Sequence, residues 1–274
     1  MEYRPETIDG VRSMFDMISL KGKKAVLTGG AGGIARACSA AFAELGADIA
    51  LVDIAAQEEE MKKNCGYLEE KFGVKAIAIC GDVSKEESVN QAFETIEKEL
   101  GTVDIVFANA GVTCTGYDHV DITLETWEKM MDINLTGVLL TDRAGAEMMK
   151  RHGHGGSIIN TASMSGTIIN RRPTLNAQVG YTTSKAGVKH LTKAMAINYA
   201  DYGIRFNSIS PGYIVSGIHN TVKQEIIEYN ASTVPLKRFG TLDEIVGGIV
   251  FLASDMSSYC LGTDLMIDGG YTIW

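Results

Sequence analysis

Short apolar runs alternate with longer segments of helical periodicity along most of this chain. The segments Glu86–Leu100 and Leu124–Lys150, for example, carry the 3.6-residue period of amphipathic helices. The apolar runs predict seven buried strands, at Ala25–Thr28, Asp48–Val52, Ala76–Ile79, Val103–Ala108, Ser157–Asn160, Arg205–Ser210 and Asp264–Ile267. Continuous apolar strands separated by helices predict an α/β fold, in which one doubly wound parallel sheet is covered by helices on both faces.

Two stretches depart from this alternation. Residues 1–20 precede the first strand as an N-terminal extension, and residues 212–240 form a long excursion near the other end. The apolar side chains between Arg12 and Leu20 are expected to cover the pocket entrance or a neighbouring subunit, although a tail without fixed structure is the competing interpretation. The chain contains no repeat and no linker, so residues 21–274 are predicted to form a single catalytic domain.

Composition narrows the class of protein. With 274 residues, 45% of them hydrophobic and 22% charged, the chain can bury one substantial core. A net charge of −9 argues against nucleic acid and anionic membranes as partners. The sequence has no apolar run of membrane-spanning length and no signal-peptide core at its amino terminus. Its five cysteines form no CxxC pair, which favours reduced thiols in a cytoplasmic protein.

The first predicted strand runs directly into the glycine-rich turn TGGAGGIA, residues 28–35, which opens a helix of small residues. Glycines allow the main chain to turn sharply and to approach a pyrophosphate, while the helix N-terminus offers free N–H groups. A tight turn without a ligand is the simpler interpretation. However, a strand before the turn and a helix after it are the context that dinucleotide binding requires.

An acidic residue, Asp53, ends the second predicted strand. A carboxylate at this position can accept hydrogen bonds from the ribose hydroxyls of NAD and would repel the 2′-phosphate of NADP. Capping of the next helix is the competing role. The position of Asp53, on the strand that follows the glycine turn, favours NAD as the cofactor.

Tyr181 and Lys185 lie four residues apart in a predicted helix, so their side chains share one face. An ammonium group close to a phenol favours the phenolate and lowers the pKa of the phenol. Such a tyrosine can act as an acid or a base near neutral pH. Taken alone, the pair is equally typical of a solvated helix surface.

In their order along the chain, these motifs resemble those of the classical short-chain dehydrogenase/reductase family, from about residue 20 to the C-terminus. That family has a Rossmann-type fold, with helices on both faces of the sheet. Ala35 stands where the family usually has a glycine. The resemblance implies cofactor contacts from the glycine turn, from GDVS and from ANAG, namely Gly29, Gly33, Ile34, Asp53, Asp82, Val83, Asn109, Ala110 and Gly111.

The resemblance also implies a catalytic tetrad. Tyr181 would be the acid and base, and Lys185 would lower its pKa and hold the nicotinamide ribose. Ser163 would bind the substrate oxygen, and Asn134 would hold a water that links Lys185 to solvent. Tyr181 and Lys185 would therefore also contact the cofactor, together with the substrate-loop residues Pro211, Gly212, Ile214 and Ser216.

The implied function is that of an NAD(H)-dependent oxidoreductase, without a metal ion, that interconverts a small secondary alcohol and a ketone. The motif SMSG with Asn170 downstream, and the chain's last residues, resemble polyol dehydrogenases and ketose reductases. The family also implies a homotetramer. The long interval between Ser163 and Tyr181, and the apolar residues at 213–218, leave a hydroxysteroid open as the substrate. A non-catalytic NAD(H)-binding or redox-sensing protein is the alternative function, and the complete tetrad favours the enzyme.

Overall fold

A computed structural model describes residues 11–113, 122–170, 178–215 and 224–273 of the chain. Within these ranges all the predicted strands are confirmed, with small shifts at their ends. They are β1 (Lys24–Thr28), β2 (Asp48–Asp53), β3 (Ala76–Cys80), β4 (Ile105–Ala108), β5 (Gly156–Thr161), β6 (Ile204–Pro211) and β7 (Asp264–Ile267). They form one parallel sheet in the order β3-β2-β1-β4-β5-β6-β7.

Helices connect the strands. They are α1 (Met14–Ile18), α2 (Gly33–Glu44), α3 (Glu58–Phe72), α4 (Glu86–Leu100), α5 (Leu124–Met131), α6 (Gly137–His152), α7 (Val179–Tyr199), α8 (Gln224–Thr233) and α9 (Leu242–Ala253). The helix predicted at Glu86–Leu100 is α4. Among the described helices, none combines the length and the apolar character needed to cross a membrane.

Each face of the sheet carries its own hydrophobic core, because successive residues of a strand point to opposite sides. Leu27 and Leu51 belong to a buried cluster that also contains residues of α2, α3 and α9. Val26 and Val106 belong to a second cluster, which contains residues of α4, α6 and α7. The prediction of a doubly wound sheet with helices on both faces is thus confirmed.

The direction of winding reverses between β1 and β4. These two strands are neighbours in the sheet, although β2 and β3 lie between them in the sequence. In sheets of this kind the carboxyl ends of the strands on the two sides of such a switch point enclose a crevice. The fold therefore directs every loop that follows a strand, and the motifs on those loops, toward one edge of the sheet.

The segment predicted as one helix at Leu124–Lys150 is interrupted. Between α5 and α6 the chain makes a π-helical turn at Asp132–Thr136, which inserts extra main chain into an otherwise α-helical ladder. Gly137 follows this turn and packs tightly, since a Cβ at this position would lie 2.9 Å from Cγ2 of Val83. The π-helical turn carries Asn134.

The described part of the N-terminal extension lies at the amino edge of the sheet. There α1 packs against the 3-10 turn Asp255–Ser257, and Arg12 Nη1 lies 2.7 Å from Asp255 Oδ2. Leu20 is buried in the core, whereas Phe15 is 86% exposed. This part of the chain is therefore at the edge opposite the motif-bearing loops. Its contact with a neighbouring subunit stays a prediction.

Candidate active site

The predicted site residues cluster at the carboxyl edge of the sheet. Going along the chain, Gly29 follows β1, Asp53 ends β2, Asp82 follows β3, Asn109 follows β4, Ser163 follows β5 and Gly212 follows β6. Lys185 and Tyr181, on α7, reach the same edge, because Lys185 Nζ donates a hydrogen bond to the carbonyl of Thr161 at the end of β5. Ser216 lies outside the described residues.

The glycine turn is compressed between two neighbouring segments. Gly29 has a φ of +65°, and a Cβ at this position would lie 3.0 Å from Ala110 Cα. A Cβ on Gly30 would lie 2.8 Å from Cβ of Leu51 in β2. These positions therefore require glycine for two reasons, the left-handed backbone at Gly29 and the lack of space at both.

Thr28, a residue that the sequence did not single out, joins this turn to the loop after β4. Its Oγ1 accepts hydrogen bonds from the main-chain N–H groups of Asn109 (3.0 Å) and Ala110 (3.1 Å). Asn109 Nδ2 donates in return to the Thr28 carbonyl at 3.2 Å. The turn and the loop are thus one bonded unit across the switch point.

The helix that follows the turn begins at Gly33, with Ile34 half-buried in its first turn. Ala35, which replaces the family's usual glycine, is fully buried in the core. Its methyl group therefore packs beneath the turn.

Asp53 is held beside the glycine turn by main-chain donors. Its Oδ2 accepts from the N–H of Ala31 at 3.1 Å, and its Oδ1 accepts from the N–H of Ile54 at 2.8 Å. The N-cap positions of the next helical segments are Ile54 and Gln57, so Asp53 does not serve as a helix cap. The half-buried carboxylate is fixed at the edge of the turn.

Asp82 and Val83 shape the loop after β3. The Ser84 hydroxyl donates to Asp82 Oδ1 at 2.6 Å, and this hydrogen bond is the main cause of the lowered pKa of Asp82. Val83 is buried against Gly137. The loop therefore presents an ionised carboxylate, and the packing of Val83 against Gly137 holds the loop in place.

Asn134 connects the loop after β4 to α7. Its side chain is fully buried, and it both accepts from the N–H of Val112 (2.8 Å) and donates to the carbonyl of Val112 (2.9 Å). Its Nδ2 also donates to Ser184 Oγ at 3.2 Å. Ser184 is a second residue that the sequence did not single out. Asn134 thus fixes the main chain that follows Gly111.

Tyr181 and Lys185 meet on one face of α7, as their spacing predicts. Lys185 Nζ lies 5.8 Å from the centroid of the Tyr181 ring and 2.6 Å from the Thr161 carbonyl oxygen. Lys185 is only 3% exposed, and burial lowers its pKa to about 8. A Cβ at Gly111 would lie 3.5 Å from Lys185 Nζ, so glycine keeps space open in front of the ammonium group.

Ser163 is placed by a short 3-10 turn, Met164–Gly166, that rests on α7. Ser163 caps this turn, because its Oγ accepts from the N–H of Ser165 at 3.1 Å. A Cβ on Gly166 would lie 2.7 Å from the main-chain carbon of Lys185, so the turn is in close contact with the helix. The hydroxyl of Ser163 is therefore held next to the segment that carries Tyr181 and Lys185.

The loop after β6 closes the other side of this edge. Pro211 ends β6, and the N–H of Gly212 donates to the carbonyl of Ile267 at 2.8 Å. A Cβ on Gly212 would lie 2.6 Å from Asp268 Cα. Ile214 is 6% exposed and belongs to the core, so its side chain is directed inward. Ile214 would therefore contact the cofactor through its main-chain atoms.

A cavity of about 610 Å³ lies at the opposite, amino edge of the sheet. It is lined by residues that precede the strands, among them Lys23, Asp104 and Gly155. None of the predicted site residues within the described ranges lines it. This cavity is separate from the candidate site.

The sheet, its switch point and the glycine turn together define a Rossmann-type fold. The family model described as enoyl-(acyl carrier protein) reductase matches residues 29–272. The sorbose reductase of Candida albicans is 40% identical over 95% of this chain and 90% of its own length. The NADP-dependent mannitol dehydrogenase of Alternaria alternata is 37% identical over 98% of this chain and 99% of its own.

Solved structures agree with these relatives. A short-chain dehydrogenase/reductase from Mycobacterium marinum has 39% identity and a TM-score of 0.88, covering 95% of this chain and 99% of that one. The NADPH-dependent 3-quinuclidinone reductase of Rhodotorula rubra has 35% identity and the same TM-score over the whole of both chains. This chain belongs to the short-chain dehydrogenase/reductase family, and it is an oxidoreductase that acts on CH–OH groups.

Proposed function

We propose that this protein is an NAD(H)-dependent oxidoreductase that interconverts a ketose and a polyol. The observation that carries the proposal is the meeting of a buried lysine, a tyrosine and a serine beside a glycine turn. Lys185 is bound to the end of β5, Tyr181 shares its helix face, and the turn of Ser163 rests on the same helix. This is an acid–base arrangement for a carbonyl or carbinol oxygen.

A nicotinamide dinucleotide fits the residues of this edge. The neighbours of Gly29 and Gly30 leave no room for a Cβ at either position. Because these residues have no side chain, the main chain of the turn can approach a pyrophosphate closely. Asp53 is fixed where it could accept from ribose hydroxyls. Gly111 keeps space open in front of Lys185 and Asn134. When bound, the cofactor would supply or accept the hydride.

The chain's own residues would handle the proton. In the reductive direction the Tyr181 hydroxyl would donate a proton to the carbonyl oxygen of the substrate, and the Ser163 hydroxyl would hydrogen-bond to the same oxygen. Lys185 is largely charged at neutral pH, because its pKa is about 8. Its ammonium group would stabilise the phenolate that remains on Tyr181. Asn134 would keep the loop beside Lys185 in place and would also hold a water that links Lys185 to solvent.

Asp53 supports NAD(H) as the cofactor, in contrast to relatives whose names say NADP-dependent. Its carboxylate would meet a 2′-phosphate with like charge. Arg36, the first cation after the glycine turn, has its Nη1 3.5 Å from Glu60 Oε1. A 2′-phosphate would therefore have to compete with this carboxylate for Arg36.

The side chains near Ser163 support a polyhydroxylated substrate over a steroid. Polar side chains flank the turn of Ser163 and the start of α7: Asn170 accepts from the Ser165 hydroxyl at 2.7 Å, and Gln178 Nε2 donates to Thr113 Oγ1 at 3.3 Å. Two apolar residues that would suit a steroid are used in packing, since Ile214 is buried and Tyr213 stacks on Phe239. Relatives named sorbose reductase and mannitol dehydrogenase agree with this choice.

A substrate and cofactor panel tests the proposal. The purified protein is incubated with NADH or NADPH and, in parallel, with fructose, sorbose, a ketosteroid and a simple cyclic ketone. We expect ketose reduction with NADH at least about tenfold more efficient than with NADPH, and a smaller ratio in Asp53→Ala. Equal use of NADPH by the wild type would contradict the role of Asp53. Tight NADH binding without reduction of any carbonyl would favour the redox sensor.

We also propose that the protein assembles as a homotetramer through its long helices. Ile197 on α7 is 76% exposed, and Tyr202 just beyond this helix is 45% exposed, so both side chains would be available to such an interface. Residues 1–20 would extend such an interface. Light scattering should give four times the mass of the chain, and a monomer for both the full chain and a variant lacking residues 1–20 would contradict this assembly.

A further inference from the structure

A line of hydrogen bonds leads from Ser163 to the loop after β6. The N–H of Ser165 donates to Ser163 Oγ at 3.1 Å, and the Ser165 hydroxyl donates to Asn170 Oδ1 at 2.7 Å. Asn170 Nδ2 then donates to the hydroxyl of Tyr213 at 3.2 Å. One carboxamide therefore joins two loops that follow different strands of the sheet, with Ser163 at one end and Tyr213 at the other.

The Tyr213 end of this line is rigid. Its ring stacks on Phe239, with centroids 5.1 Å apart and planes inclined by 16°, and meets Tyr271 edge-on at 5.5 Å. Aromatic pairs at these distances are favourable beyond the area that they bury. The tyrosine hydroxyl is thus a fixed point to which Asn170 is bonded.

The turn of Ser163 is supported by α7 on its other side. Gly166 is in contact with the main chain of Lys185, and Lys189 Nζ donates to Thr167 Oγ1. Lys189 is itself paired with Asp264 at 2.9 Å. The turn of Ser163 is therefore held on one side by α7. On the other side Asn170 connects the turn to the loop after β6.

We infer that Asn170 is a positioning residue, which sets the place of Ser163 between the helix of Tyr181 and the loop that follows β6. The inference rests on the proposed function, because it concerns the same reaction. Ser163 and Tyr181 must reach one substrate oxygen together, and a displacement of about 1 Å of a reacting group can cost about a hundredfold in rate. A link from both sides of the turn limits such displacement.

The test compares Asn170→Leu, which keeps the size but removes both hydrogen bonds, with Tyr213→Phe, which keeps the ring and removes one. We expect kcat for the best ketose of the panel to fall roughly tenfold to a hundredfold in Asn170→Leu, and less in Tyr213→Phe. The NADH Kd should change by less than about twofold, since no contact with the cofactor is removed.

A kinetic isotope effect separates positioning from loss of fold. With NADH deuterated at both hydrogens of C4, a displaced Ser163 slows the chemical step, so the isotope effect on kcat should rise in Asn170→Leu. A merely less stable protein would lose active molecules without changing the isotope effect. The matched controls are Asn90→Leu on the exposed face of α4 and Tyr259→Phe at a fully exposed position, and neither should alter kcat.

The outcomes distinguish this inference from the proposed function. An active wild type whose Asn170→Leu variant keeps its kcat, or loses kcat with an unchanged isotope effect, overturns the role of Asn170 alone. If another carbonyl replaces the ketose as the best substrate and Asn170→Leu still raises the isotope effect, the inference holds and the substrate class fails. A wild type that binds NADH and reduces no carbonyl contradicts both.

Discussion

The two halves of the carboxyl edge are built in different ways. On the side of β1 to β3, the parts that would hold a cofactor are mainly main-chain atoms, with glycines where a Cβ would collide and Asp53 fixed by two N–H groups. On the side of β4 to β6, side chains are bonded to partners far away in the sequence, such as Asn134 to Ser184 and Asn170 to Tyr213. The first half is therefore shaped mainly by main-chain atoms and close packing, and the second mainly by hydrogen bonds between side chains.

The two halves also differ in how they treat a charged side chain. In the half with the glycine turn, hydrogen bonding to Ser84 lowers the pKa of Asp82 and so favours its charged form. In the other half, burial lowers the pKa of Lys185 to about 8 and so disfavours its charged form. One charge is stabilised by its surroundings, whereas the other is retained at a cost to folding, which is typical of catalytic positions.

The cost of burying Lys185 can be measured through pH. In the folded protein the pKa is about 8, below the ordinary value of 10.5, so between these pH values the unfolded chain binds more protons than the folded one. Stability should therefore rise with pH across this window, by on the order of 3 kcal/mol, and be flat below it for this group. Urea unfolding of wild type and Lys185→Met from pH 7 to pH 10 measures it.

The comparison with Lys185→Met removes the contribution of all other titrating groups. Any stability advantage of the variant at pH 7 should shrink as the pH rises toward 10. A difference that stays constant across this range would contradict the assignment of a buried, penalised charge to Lys185.

Glycine substitutions in the two halves should separate binding from chemistry. Gly30→Ala places a Cβ 2.8 Å from Leu51 Cβ and should raise the NADH Kd about tenfold or more, because the glycine turn must move. Gly166→Ala places a Cβ 2.7 Å from the Lys185 carbon and should lower kcat by a similar factor, because the turn of Ser163 is pushed away from α7. Isothermal titration and steady-state kinetics measure the two effects.

Gly247 in α9 is the matched control. A Cβ there meets nothing within 4 Å, so Gly247→Ala should stabilise the helix by up to about 1 kcal/mol and leave Kd and kcat unchanged. If each of the two variants, Gly30→Ala and Gly166→Ala, changes the NADH Kd and kcat alike, the division of the edge into two halves is wrong.

The same division explains how much could be predicted from the sequence. The strands, the glycine turn and the pair of Tyr181 and Lys185 were predictable, because a short-range period or spacing specifies each of them. The π-helical turn at Asp132–Thr136 was not, since the helical pattern of Leu124–Lys150 continues through it.

The partners that hold the site together were also missed, and for a physical reason. Thr28 acts through its hydroxyl on the loop after β4, and Ser184 receives a bond from Asn134, which lies on another helix. In the sequence, Asn170 stands out only through the resemblance to polyol dehydrogenases. Its bond to Tyr213 depends on two loops that meet at the carboxyl edge. No local pattern in the sequence records such a contact.

Transfer of deuterium from the cofactor to the product is the most direct measurement of the central claim. NADH deuterated at both hydrogens of C4 is incubated with a ketose and the protein, and the product is examined by mass spectrometry and NMR. The account predicts a polyol with one deuterium on the new carbinol carbon. Tyr181→Phe should still bind NADH but form product about a thousandfold more slowly than the wild type. A polyol without deuterium, or wild-type rates in Tyr181→Phe, would contradict it.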